Sequence, residues 1–183
     1  QGKHLSVVDY PAYLREEWDD FIQSQIKYFG DTPFFVGIGN HELSFPKTHA
    51  DFIVQFTPWL DTPELRAQRL KDDPNDHAVK TYYHWVREGV DFINLDNASK
   101  EEFDSAQLEW FESVLKRDEK DSAIRTIVVG MHEALPNSIS SDHSMNMWPR
   151  GVETGLQVYH DLLKAKDKAK KRVYVLASHS HYF

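Results

Sequence analysis

Apolar residues recur at helical spacing early in the chain, at Leu14, Trp18, Phe21, Ile22 and Ile26. This predicts a helix over about 12–29, with Pro11 suited to its first turn and Gly30 to its end. After Pro33 the pattern becomes a continuous apolar run, which predicts a buried strand over 34–38. Phe52, Ile53 and Phe56 predict a short helix over 50–56. The proline- and charge-rich stretch 57–80 reads as an exposed excursion. Two β-rich runs around Arg87-Glu88-Gly89 predict a hairpin over 81–95. Leu108, Phe111 and Leu115 mark a helix over 105–116. Asp104 with Gln107 forms its capping pair, and Ser99 with Glu102 offers an earlier start. The run 124–130 is a strand of the doubly buried kind, followed by a polar loop over 136–153. Leu156, Tyr159 and Leu163 predict a helix reaching about Lys170, and 173–177 forms the last strand.

Helices alternating with apolar strands favour a layered α/β fold, a sheet covered by helices. The 183 residues suffice for one domain with a real core, expected to span 1–183, and 40% apolar content is globular rather than disordered. No apolar run approaches the roughly 20 residues of a membrane helix, and the N-terminal stretch is no signal peptide. The net charge of −8 argues against nucleic acid as a partner, since such binding rests on Lys and Arg at phosphates. A small phosphorylated substrate stays compatible, because bound cations supply local positive charge. The absence of cysteine removes disulfides, thiolate metal sites and cysteine nucleophiles. The basic stretch 164–172 reads as a solvated helix end complementing the dipole.

The polar residues that follow the apolar strands change the picture. After 34–38 come Gly39, Asn40, His41 and Glu42. After 124–130 come Met131, His132 and Glu133. After 173–177 come Ser178, His179, Ser180 and His181. Strand ends along one edge of an α/β sheet are where sites gather. Imidazole nitrogen suits zinc, iron and manganese, and an Asn oxygen serves as a neutral ligand. Taken singly, Asn40 reads equally as a turn residue and His132 as a hydrogen-bonded strand-end histidine. Glu42 and Glu133 read as helix-start or loop carboxylates. The coincidence of the clusters is what points to a site. His143 lies in a loop able to reach it, whereas His4, His49, His77, His84 and His160 read as structural or surface residues.

"GNHE", "VGMH" and "SHSH", in this order, resemble the third, fourth and fifth motifs of the calcineurin-like binuclear metallophosphoesterases. The GNH-Glu and Val-x-x-His forms resemble the purple acid phosphatase branch. Ser178 stands where that family usually has glycine, and the family's first two motifs are absent from 1–36. Gln1-Gly2-Lys3 resembles the stretch just after the second motif, so 1–183 is expected to be an internal portion of a longer chain.

The resemblance implies an α/β/β/α sandwich, incomplete at both ends. It implies two metal ions (iron, manganese or zinc), with Asn40, His132 and His179 on the second and His181 on the first. It further implies hydrolysis of a phosphomonoester by a hydroxide activated between the metals, about 3.5–4 Å apart. His41 would assist the leaving group, and Glu42 would orient an imidazole. Two alternatives stay open: a non-catalytic or degenerate metal-binding module, and a phosphodiesterase or nuclease on the same site. Export is a tendency of the acid phosphatase branch.

Overall fold

The computed structural model describes residues 10–139 and 143–181, without the side chains of 10, 11 and 13–15. The side chain of Leu14, at a helical-spacing position, and Gln1-Gly2-Lys3 therefore lie outside what is described. Helix α1 spans Tyr10–Ser24, and a 3-10 turn at Ile26–Phe29 follows. Gly30 ends the segment at φ 55°, where a side chain would be strained. The expected helix is thus present but tightens over its last turn.

Helix α2 runs His49–Leu60, longer than the expected 50–56. Thr48 accepts from the Asp51 amide, and Asp51 bonds back to the Thr48 amide. The stretch expected as an exposed excursion contains helix α3, Pro63–Asp72. Its start is local chemistry. Thr62 accepts from the Leu65 amide, and Pro63 occupies the first helical position, where no amide is needed.

Strands β1 (Tyr83–Arg87) and β2 (Val90–Asn94) form the expected hairpin. Its tip, Glu88 and Gly89, takes φ of 53° and 79°, the mirror-image turn that matches strand twist. A Cβ on Gly89 would lie 2.7 Å from the Ala123 carbonyl oxygen. Helix α4 spans Ser105–Lys120 and starts at Asp104, which accepts from the Gln107 amide at 2.8 Å. The Gln107 side chain does not complete a capping box. It bonds instead to the backbone N–H and C=O of Asp96, both at 2.7 Å. Strand β3 (Thr126–Met131), helix α5 (Pro149–Asp167) and strand β4 (Arg172–Ala177) complete the order.

The sheet runs β1-β2-β3-β4, antiparallel at the hairpin and parallel thereafter. Among the described residues this is one mixed four-stranded sheet flanked by helices, a layered α/β arrangement. The second sheet of the expected sandwich is not among them. Residues 34–38, expected as a strand, join no ladder there either. Val36 and Ile38 are buried, and the Val36 carbonyl accepts from Tyr83 Oη at 2.7 Å. An apolar run can bury its side chains without a neighbouring strand to pair with.

One core lies between β2, β3, α4 and α5 and includes Ile93, Phe111, Val129 and Leu162. The other gathers Trp18, Val36, Phe52, Phe56 and Tyr83 beneath α1, α2 and β1. Strand β3 is buried on alternate residues, Ile127, Val129 and Met131, rather than throughout. Strand β4, expected to be buried, leaves Tyr174 55% and Leu176 61% exposed, and among the described residues it is the sheet's edge. Among the described residues no helix is long and apolar enough to cross a membrane.

Candidate metal centre

Strands β3 and β4 end side by side, Met131 paired with Ala177. The chain leaving β4 folds over the chain leaving β3, with the Ser178 and His179 amides both donating to the His132 carbonyl at 3.1 and 3.0 Å. From the other side comes a one-turn 3-10 helix, Asn40–Leu43. Glu42 holds its start by accepting from the Gly39 amide at 2.9 Å. Gly39 is glycine for lack of room: a Cβ there would lie 3.0 Å from the His132 ring and 2.9 Å from Glu42 Oε2. These segments border a cavity of about 400 Å³ lined by Gly37, Gly39, Glu42, His132 and Ser178.

Three donor atoms converge at its rim. His132 Nε2 stands 2.9 Å from Asn40 Oδ1 and 2.9 Å from His179 Nδ1. The opposite nitrogen of His179, Nε2, lies 3.1 Å from Glu133 Oε1. Ser178 Oγ lies 3.4 Å from His132 Nδ1. His132, Glu133 and His179 together form a cluster able to hold one metal ion, their potential ligand atoms within 4.8 Å of one another.

The electrostatics favour bare nitrogens. Burial lowers the His132 pKa to about 4, and the charges of His179, His41 and His181 press it the same way. His179 is lowered too, first by burial and then by His143, His181 and His41. At neutral pH both imidazoles are therefore uncharged and carry lone pairs. Burial, with the charge of Glu101, lifts Glu133 to about 7. Both shifts run toward the neutral forms. The Glu133–His179 contact is thus an N–H···O hydrogen bond, with the proton on His179 Nε2 and the lone pair on Nδ1 facing His132.

His132 is thus in contact with both Asn40 and His179. Glu42 lies beside them but serves the Gly39 amide. His143 stands close, its ring centroid 5.4 Å from that of His179. His41 and His181 are both exposed, and positive charge on either would disfavour protonation of the cluster. His181 takes φ 53°, a left-handed bend two residues beyond His179.

Two residues escaped the sequence reading. Glu133 reads as an ordinary loop carboxylate there, yet only 4% of it is exposed; its signal was adjacency to His132. Asn97 carried no signal. It is fully buried and bonds to the backbone of His132 and Glu133 across a long sequence separation. Comparison of the chain with protein-family models, curated proteins and solved structures finds no match.

Proposed function

We propose that this chain is a metal-binding α/β domain in which Asn40, His132 and His179 hold one divalent cation. The observation that carries the reading is His132 Nε2 standing 2.9 Å from both Asn40 Oδ1 and His179 Nδ1. These are three lone-pair atoms with one proton among them, and a cation satisfies all three. Four ligands about 2.0–2.2 Å from a tetrahedral ion stand roughly 3.3–3.6 Å apart, so modest widening of the spacing from His132 to Asn40 and His179 suffices. Glu133 faces the far nitrogen of His179. Its share is to fix that ring's tautomer and orientation, the usual work of a carboxylate behind a ligand histidine.

The test is cobalt or zinc titration of the purified protein. His132→Ala should abolish stoichiometric binding, and His41→Ala should leave it nearly intact. Equal loss in both variants would overturn the ligand assignment.

The second reading is a metal-dependent phosphoester hydrolase, more naturally of monoesters. It is favoured by the exposed His41 beside the cluster and by the resemblance of "GNHE", "VGMH" and "SHSH" to metallophosphoesterase motifs. A bound ion would supply Lewis acidity toward a phosphoryl oxygen and make water acidic enough to deprotonate near neutral pH. His41 would donate a proton to the leaving oxygen. His181 is the sequence's candidate for a second ion. Release of nitrophenol from mono- and bis-nitrophenyl phosphate, with manganese, zinc or iron added, separates this reading from a purely binding module. Turnover that His41→Ala cuts while metal content holds supports the hydrolase.

A further inference from the structure

The strongest unassigned feature is the side chain of Asn97, in the segment leaving β2. It is fully buried, and each of its polar atoms is used twice or shared. Oδ1 accepts from the amides of His132 at 3.1 Å and Glu133 at 3.0 Å. Nδ2 donates to the Glu133 carbonyl at 2.9 Å and approaches Met145 Sδ at 3.3 Å.

Its position explains why these bonds exist. The β2–β3 ladder ends at Asn94–Gly130, with one further bond from the Leu95 amide to the Gly130 carbonyl at 2.8 Å. Beyond it β2 veers away, its Asp96 backbone taken by Gln107. The next amides of the β3 chain, those of His132 and Glu133, are left without a strand to receive them. Buried amides need acceptors. The Asn97 amide group supplies them, extending the ladder with a side chain.

We propose that Asn97 is the positioning residue of the metal centre. It pins the peptide N–H of His132, while the Ser178 and His179 amides pin the carbonyl of the same residue. With both sides of its backbone fixed, His132 is aimed at Asn40 and His179. The bonds to both ends of Glu133 place the carboxylate that holds His179. The bond to Met145 ties in the loop that carries His143, since the Met145 amide also donates to the Ala134 carbonyl at 2.9 Å.

This inference rests on the metal-binding reading, and the experiment separates the two. Cobalt affinity is measured, with the metal alone, for wild type, Asn97→Ala, Asn97→Ser and Asn97→Asp. A control, Phe56→Leu, weakens the other core without touching the site. Amide hydrogen exchange at His132 and Glu133 is followed in the metal-free proteins.

The expected result is a loss of cobalt affinity of roughly ten- to a hundredfold in the Asn97 variants. The control should show none at equal loss of thermal stability. Exchange should quicken at His132 and Glu133 but not at Val129. Folded Asn97 variants with wild-type cobalt affinity and unchanged exchange overturn the proposal and leave the metal site standing. A wild type that binds no cobalt overturns the metal reading. The selective exchange change then still decides whether Asn97 positions this strand end. If Asn97→Ala does not fold, Asn97→Ser and Asn97→Asp carry the same comparison.

Discussion

Gly39 and Glu133 show how much of the site depends on single atoms. Gly39 sits in extended backbone, so substitution there brings no conformational strain. The obstacle is steric, a Cβ 3.0 Å from His132 Cε1 and Nδ1. Gly39→Ala is expected to push the His132 ring away from Asn40 and His179, weakening metal binding on the order of tenfold or more, measurable by calorimetric titration. Glu133→Leu should release His179. Its ring nitrogens, read by nitrogen NMR, should lose their single Nε2-protonated form, whereas Glu133→Gln keeps an oxygen for the bond. The polar types at 40, 132 and 179 were legible as candidate metal donors from residue chemistry alone. Glu133 and Asn97 were not, since a buried carboxylate and a buried amide look like any loop residue until their distant partners are known.

At the scale of elements, α5 shows a pattern that misleads. The sequence marks it by Leu156, Tyr159 and Leu163, at helical spacing. The structure buries Gly151, Thr154, Gly155, Val158, Leu162 and Ala165. The reason is close approach. A Cβ on Gly155 would lie 2.5 Å from Pro136 Cδ, so the packed stripe is built of small residues and reads as weakly apolar. Leu162→Ala should therefore cost about 3 kcal/mol by chemical denaturation, and Tyr159→Ala, at a site 45% exposed, less than about 1 kcal/mol. Helix α3 was missed for a related reason, since Leu65 is its one buried residue and its start lies in Thr62 and Pro63.

Helix α3 is held to the sheet by charge. Buried His84 reaches Asp91 on β2 through Nδ1 at 2.8 Å and Asp72 on α3 through Nε2 at 2.5 Å. Arg117 of α4 also meets Asp72, at 3.0 Å. Burial works against the His84 charge, but the hydrogen bonds to Asp72 and Asp91 outweigh it and raise the pKa to about 9. Burial and the neighbouring Asp91 raise Asp118 to about 8, against the pull of His84 and Lys171. For His84 the stabilisation is complete below 6.5 and lost as pH rises through about 9. For Asp118 the folded state keeps a proton the unfolded chain gives up above about 4, so stability falls between there and about 8. Both run the same way. Unfolding free energy should drop by several kcal/mol between pH 6 and 10, on the order of 3 kcal/mol from each group, and His84→Gln should remove the share of His84 and flatten the slope.

For the whole molecule, the alternation of helices and apolar strands was enough to determine a layered α/β domain. The turn at Glu88-Gly89 and the cap at Asp104 were enough to determine the hairpin and the start of α4. Such signals are local, resting on periodicity, left-handed backbone and caps within a few residues. The ordered clusters at 39–42, 131–133 and 178–181 also pointed to a metal site from residue chemistry alone. Tertiary structure decided the rest. Among the described residues the sheet order sets β4 at the edge, and its apolar residues are exposed there. Among the described residues, 34–38 bury side chains without joining a ladder, because strand formation needs a partner that the run itself does not encode. The site's supports, Asn97 beneath His132 and Glu133 behind His179, exist only once β2, β3 and β4 lie side by side. Ligand types are written in sequence because metal coordination selects them by element. Their aim is fixed by hydrogen bonds between residues far apart in the chain, and only the folded backbone brings those residues together.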